Sequence, residues 1–316
     1  MAHEPVLLAE MVSALAPRDR GVYLDATFGG GGYTRAILAA ADCSVIAIDR
    51  DPEAIERGRE LALAEPRLTL LQGRFSEMAD LVRAAGFDRL DGIVLDIGVS
   101  SFQLDDATRG FSFRQDGPLD MRMGGEGESA ADLVAELEAE DLAALFRELG
   151  DEPEAGRVAR AIVARRAERP FLSTADLAAV VARAKRKVKP GRDPATQVFQ
   201  ALRMAVNDEL GELQAALDAS LDLLAPGGRL VVVAFHSAED RLVKRFVDEK
   251  SGRGRIVSRH MPVIDGPAPV LRFLQRKAVL PTSAEVDRNP RARSARLRVA
   301  ERLGEDDAES DWRAAA

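Results

Sequence analysis

The sequence predicts an α/β fold, a parallel sheet interrupted by an inserted block of helices. Three observations predict it. Short apolar runs alternate with helix-like stretches between Val22 and Asp96. Three of those runs close on an acid, Asp25, Asp49 and Asp96, as strands do where their carboxyl ends open a crevice. From about Asp106 to Arg203 helical patterns follow one another with no strand between them, and then the β-rich run Arg229 to Phe235 resumes the first texture.

Taken in order, His3 to Glu10 leads into an amphipathic stretch ending near Leu15, expected as a helix beside the first strand. Val22 to Leu24 is that strand. The organising stretch follows it: Asp25-Ala-Thr-Phe, then glycines 29 to 32, then Tyr33 and Thr34. Glycines let the backbone take positive φ and approach a ligand closely. A helix from Thr34 to Ala41 would aim its free N–H groups at that ligand. Ser44 to Ile48 is the second strand, and Asp49 stands 20 positions after Gly29, where a nucleotide-binding unit places the acid for a ribose hydroxyl pair.

Asp51 as N-cap with Pro52 at the first helical position starts a helix running to about Ala64. Leu68 to Leu71 is a third strand, ending at Gly73-Arg-Phe-Ser76, and a helix from Glu77 to Ala85 leads to the fourth strand, Asp91 to Asp96. A turn-rich passage runs from Gly98 to Gly125. Helices are then expected over Ala130 to Leu149, Arg157 to Arg166 and Ser173 to Lys187, with a break at Pro190 to Pro194. A helix from Val206 to Leu224, the turn Ala225-Pro-Gly-Gly228 and the strand Arg229 to Phe235 follow. Val270 to Lys277 and Ala295 to Glu301 are expected as an antiparallel pair closing the sheet. These readings divide the chain into a discontinuous α/β domain, 1–105 with 204–304, an inserted helical domain, 106–203, and an acidic tail, 305–316, expected to be disordered.

At 316 residues and 46% hydrophobic content the chain can bury a large core. The single cysteine, Cys43, excludes a disulfide framework and a multi-cysteine zinc site, and suits a reducing compartment. No apolar stretch approaches membrane-spanning length and the start does not read as a signal peptide, so a cytoplasmic location is expected. The net charge of −8 conceals segregation: Arg157 to Arg203 holds 12 Lys/Arg against 3 Asp/Glu, Arg241 to Arg302 holds 16 against 6, and Glu126 to Glu154 holds 1 against 11. Two basic surfaces on an acidic body suit a polyanion, although helices with charged faces produce the same counts.

Two ligand classes use such a crevice. A dinucleotide needs the spaced Gly-x-Gly-x-x-Gly, which Tyr33 and Thr34 deny. A nucleoside carrying a methionine tail needs a glycine turn, an acid for its ribose and an aromatic cover for adenine. Asp49 and Phe75 supply the last two, with core packing the other reading of Phe75.

The motifs His3-x-Pro-Val-Leu, Asp25-x-Thr-Phe-Gly-x-Gly-Gly, Ala47-Ile-Asp-Arg-Asp-Pro52, Asp96-x-Gly-Val-Ser-Ser-x-Gln-Leu-Asp105, Arg109-Gly-Phe-Ser-Phe113, Asp116-Gly-Pro-Leu-Asp-Met-Arg-Met123, Phe235-His-Ser-x-Glu-Asp240 and Asn289-Pro-Arg-Ala-Arg-Ser294 run in order over nearly the whole chain. Through them the sequence closely resembles the ribosomal small-subunit RNA cytosine-N4 methyltransferases, the family called RsmH or MraW. The resemblance implies a Rossmann-like class I methyltransferase sheet and an S-adenosylmethionine-dependent enzyme. Its expected substrate is the N4 amine of a cytidine in the decoding region of 16S rRNA, the partner being that rRNA within the ribosomal subunit. Cofactor contacts carry over to Gly31, Gly32, Tyr33, Asp49, Phe75, Asp96 and Gln103. Substrate contacts are expected at His236, Ser237, Asn289, Arg291 and Arg293.

Two departures stand out. Tyr33 replaces the family's usual His, which leaves a backbone contact intact but not an imidazole role, and Ala238 replaces Leu. A methyltransferase acting on DNA or another RNA, and an rRNA-binding assembly factor without turnover, are the alternatives. The oligomeric state stays open, a homodimer included. No metal is expected, because His3 and His260 lack the spacing of ligands.

Cytosine's amine is a poor nucleophile, its lone pair being delocalised into the ring. Other amino-methyltransferases follow strand four with an Asp/Asn/Ser-Pro-Pro-aromatic motif, and here Asp96-Ile-Gly-Val-Ser-Ser101 stands in that place. Asp96 is therefore expected where donor and acceptor meet, while no residue is assigned as the catalytic proton acceptor. Cys43, at the start of the second strand, is poorly placed for a covalent route through a ring carbon. The tracts Asn289 to Arg298 and Lys185 to Arg192 are expected to face RNA.

Overall fold

Alternating side chains on the strands set the architecture of the larger unit. The computed structural model describes residues 5–187, 193–252 and 268–304. The expected tail 305–316, His3, His260 and the stretch 188–192 of the second basic tract lie outside the described residues. The chain divides into two units, Met1–Gly98 with Leu210–Ala316, and Val99–Glu209.

In the first unit seven strands, β1 (Val22–Asp25), β2 (Ser44–Asp49), β3 (Leu68–Gln72), β4 (Leu90–Asp96), β5 (Leu224–Ala234), β6 (Leu271–Phe273) and β7 (Arg296–Arg302), form one sheet in the order β3-β2-β1-β4-β5-β7-β6. The first five are parallel, and β7 runs antiparallel to both β5 and β6. The expected closing pair is thus present. The turn at Ala225 to Gly228 is absorbed as an irregularity inside β5, where the register against β4 jumps between Leu90 and Gly92.

Helices α1 (Leu8–Leu15), α2 (Gly32–Ala40), α3 (Pro52–Ala64) and α4 (Met78–Ala84) alternate with the strands. Asp51 caps α3 as expected, its carboxylate accepting from Glu53 N at 3.0 Å. The period of two then sorts the core. Leu24, Ile46, Ile48, Ile93, Leu95, Leu230 and Val232 pack on one face of the sheet with Met78 and Val82 of α4. Val45, Ala47, Val94, Val231 and Val233 pack on the other with Met11, Leu15 and Ile37 of α1 and α2.

The second unit is all-helical. After α5 (Ser101–Asp105) come α6 (Ala130–Glu136), α7 (Ala139–Glu148), α8 (Ala155–Arg166), α9 (Thr174–Ala184) and α10 (Thr196–Val206). Its edges fall at Val99 and Glu209 rather than at 106 and 203, because the turn-rich passage packs with these helices. Phe111, Leu119, Met121 and Met123 join their core, and the Asn207 carboxamide takes Met123 N at 2.9 Å and donates to Met121 O at 2.8 Å.

The single helix expected over Ala130 to Leu149 is two. The chain turns extended at Leu137, and the Arg166 guanidinium takes the freed carbonyls of Val134 and Leu137 at 2.8 and 2.6 Å. That arginine is a distant residue no local pattern points to. Beyond this unit, α11 (Glu209–Leu223), α12 (Ser237–Lys250) and α13 (Ser283–Arg288) complete the chain. No helix among the described residues is long and apolar enough to cross a membrane.

Candidate active site

The sheet order reverses between β1 and β4, and a crevice forms at such a switch point, outside the carboxyl ends of the strands. Asp25, Asp49 and Asp96 end β1, β2 and β4, so three neighbouring strands deliver three acids to one edge. Each does a different job.

Asp25, fully buried, holds the glycine turn together. Its oxygens accept from Thr27 N at 3.2 Å, Thr34 N at 3.1 Å and Thr34 Oγ1 at 2.7 Å. Asp49 ties the same turn to β2 by accepting from Gly29 N at 2.7 Å and Asp51 N at 2.9 Å. A carboxylate has about four lone-pair sites, so sites for a diol remain. Asp96 is otherwise placed. Its amide donates to Thr27 Oγ1 at 2.8 Å, which joins the ends of β1 and β4. Its Oδ1 is shut from solvent with no hydrogen-bond partner among the described residues.

The electrostatics follow from this burial. Desolvation first, then the Asp25 and Glu239 charges, push Asp96 up to about 8. Desolvation raises Asp25 to about 6 against its hydrogen bonds from Thr34 and Thr27, and raises Asp49 as well. Asp25 and Asp96, with no positive group among the causes of their shifts, and the orphaned Asp96 oxygen form a site that a cationic ligand group would relieve.

The glycine turn sharpens the expectation for four glycines. Gly29 and Gly31 take positive φ, 53° and 73°, whereas Gly32 begins α2. A Cβ on Gly32 would overlap Pro5 Cγ, so the N-terminal segment demands this glycine whether or not a ligand does. Tyr33 holds that segment too: it is buried, and its hydroxyl donates to the Val6 carbonyl. Burial raises the hydroxyl well above its ordinary value, which keeps it a donor. Where a His is usual, this chain has a fastening, completed by Leu7 N donating to Glu285 Oε1 at 2.7 Å.

Phe75 opens a short 3-10 turn after β3, half-buried against the core beneath α4. Packing and stacking are therefore compatible there, one by its covered part and one by its open part. Gln103 belongs to the helical unit. It is buried in α5, where its Oε1 accepts from Ser100 N at 3.0 Å and its backbone N–H donates to Ser100 Oγ at 3.2 Å.

His236 and Ser237 follow β5 directly at the start of α12. The Glu239 carboxylate closes that turn by accepting from Phe235 N at 2.9 Å and His236 N at 3.0 Å. Sequence reading named neither Asp25 nor Glu239 as a site residue. The signal for Glu239 was its place three residues into a helix, where an acid reaches back to the helix start.

The basic tracts need correction. Lys185 is buried against Glu152, Nζ to Oε2 2.7 Å, and does not face RNA. Arg298 is likewise spent, bidentate on Asp240 at 2.6 and 3.1 Å, with Arg296 on the same acid at 3.0 Å. Arg291 and Arg293 stay exposed, on a 3-10 turn that Asn289 caps by accepting from Arg291 N at 3.2 Å.

A profile of the MraW methylase family matches residues 1–303. The chain belongs to the MraW methylase family. Relatives called ribosomal RNA small subunit methyltransferase H include that of Rhodospirillum rubrum, 56% identical over 306 residues and covering 95% of this chain and 94% of its own length. The protein of that name from Rhodospirillum centenum is 58% identical over 302 residues, with 95% and 92% covered. Among solved structures, an rRNA methylase from Streptococcus thermophilus is 12% identical, covering 96% of this chain and 99% of its own, with a TM-score of 0.42. For an MraW methylase the carboxyl edge of the sheet, with its three acids and glycine turn, is the candidate active site.

Proposed function

We propose that the chain is an S-adenosylmethionine-dependent methyltransferase of small-subunit rRNA, acting in the cytoplasm on the N4 amine of a decoding-region cytidine. The carrying observation is the buried Asp96 Oδ1, with no hydrogen-bond partner among the described residues, at the carboxyl end of β4. The residues fit the donor: a cationic ammonium matches Asp96, a ribose diol matches the remaining lone pairs of Asp49, a base matches the open part of Phe75, and the turn at Gly31, Gly32 and Tyr33 lets a carboxylate approach backbone N–H groups.

When bound, S-adenosylmethionine supplies a methyl group on a sulfonium, open to in-line displacement. The protein's share is alignment and charge. Asp96 anchors the ammonium and, next to the reacting centre, offers an acceptor toward an N–H of the target amine. Asp25 and Thr27 keep the β1 and β4 ends in register, so that Asp96 and the glycine turn move as one body. His236 and Ser237, at the same edge, meet the flipped-out cytosine. Arg291 and Arg293 bind phosphates.

The deciding experiment is mass spectrometry of 16S rRNA nucleosides from cells with and without this protein, followed by reaction of the purified chain with small subunits, naked rRNA and DNA. Loss of N4-methylcytidine without the protein, and its restoration on the subunit, is the expected result. Methylation of DNA or another RNA alone would redirect the reading. For the arginines, replacing Arg291 and Arg293 together by Ala is expected to weaken rRNA binding and flatten the slope of log K against log salt by roughly 2, about one per lost phosphate contact. An unchanged slope in filter binding would remove them from the interface.

A further inference from the structure

The inner face of α11 carries one residue that does not belong to a hydrocarbon core. Leu213, Ala216, Leu217 and Ser220 are all fully buried at helical spacing, and Glu212 shares their face at 6% exposure. The apolar members pack with Ile93, Leu95 and Val232 of the sheet. Because α11 delivers the chain to the start of β5, which is parallel to β4, its first turns lie at the edge bearing Asp25, Asp49 and Asp96.

One oxygen of Glu212 is accounted for. Oε1 accepts from Arg74 Nη1 at 3.0 Å, and Arg74 immediately precedes Phe75. Oε2 is shut from solvent and has no hydrogen-bond partner among the described residues. A buried acceptor left unmet is costly, and Arg74 supplies compensating charge without meeting this atom. Arg74 thus ties Glu212 to the loop that carries Phe75, with Oε2 left to accept a further hydrogen bond.

We propose that Glu212 Oε2 accepts the exocyclic amine of the methyl donor's adenine, the base that Phe75 covers, and so sets the enzyme's preference for that base. The assignment rests on the donor reading above. A carboxylate oxygen attracts an amine and repels the carbonyl that hypoxanthine carries at the same place, while the glycine turn, Asp49 and Asp96 recognise parts common to both nucleosides.

The test is calorimetric binding of S-adenosylhomocysteine and S-inosylhomocysteine to the full chain and to Glu212→Gln. The wild-type protein is expected to prefer the adenosyl form by about tenfold or more, as loss of a charged acceptor's hydrogen bond dictates. The variant, whose carboxamide also donates to a carbonyl, should bind the two within about threefold of each other. The ratio is taken within each protein, so a general loss of stability does not imitate the result. No preference in the wild type, or an unchanged preference in the variant, overturns the assignment. A wild-type chain that binds neither nucleoside overturns the donor reading and this one together.

Discussion

Asp96→Ala is expected to slow methyl transfer by about a hundredfold or more, because in the proposed role Asp96 holds the donor's ammonium near the acceptor and its loss lets the reacting atoms drift. Single-turnover methylation of small subunits measures the loss, and near-normal turnover would refute the role. The same residue sets a pH dependence. Asp96 rises from the ordinary 3.8 to about 8 in the fold, so between those values the folded chain holds a proton that the unfolded chain has released. The folded state thus binds more protons, and this group makes stability fall as pH rises from about 4 to about 8, after which its effect is constant. Asp25 acts in the same sense up to about 6. Asp96→Asn should flatten that slope in urea denaturation at stepped pH. Binding of an ammonium needs the ionised acid, so S-adenosylhomocysteine affinity should climb toward pH 8 with release of a proton, visible as buffer-dependent heats. A flat profile would mean that Asp96 does not meet the ammonium.

Glu152→Ala carries the second large effect, about 3–5 kcal/mol of destabilisation in urea unfolding. Lys185 and Glu152 are 5% and 0% exposed, and the lysine also donates to Pro194 O at 3.2 Å. Removing the acid leaves an uncompensated ammonium in the helical core. Replacing both partners, Glu152→Leu with Lys185→Met, should come out within about 1.5 kcal/mol of wild type, since the buried charges leave together and volume is roughly kept. The double variant should also bind rRNA with an unchanged salt slope. A slope flattened by one unit would return Lys185 to the RNA-facing tract.

The acid of the first case is legible in the sequence, and the ion pair of the second is not. Asp25, Asp49 and Asp96 were found because a short apolar run and the acid that closes it are adjacent in the chain. Asp51-Pro52 and Ser173 announced helix starts for the same reason, with Ser173 accepting from Asp176 N at 3.4 Å. The run Arg229 to Phe235 lies within β5 except for its last residue, and β7 stands within one residue of its expected limits, whereas β6 is only Leu271–Phe273 of the run expected from Val270 to Lys277. The family motifs extended this to the site, since they too are local strings.

What lay beyond reach is pairing across distance. Lys185 and Arg298 stand in runs of basic residues that read as one RNA-facing surface, yet partners 33 and 58 positions away draw each into an ion pair. Arg166 breaks a helix from 29 positions off, and Glu285 secures Leu7 from 278. Gly32, expected at the ligand turn, is also required by Pro5, which a Cβ there would strike. By itself the sequence determined the alternation of strand and helix, the three acids at the strand ends and the family, because apolar period, caps and motifs act over a few residues. Only the tertiary structure decided which charges are spent on the fold and that oxygens such as Asp96 Oδ1 and Glu212 Oε2 are buried with no hydrogen-bond partner among the described residues, because burial is set by whatever packs on top.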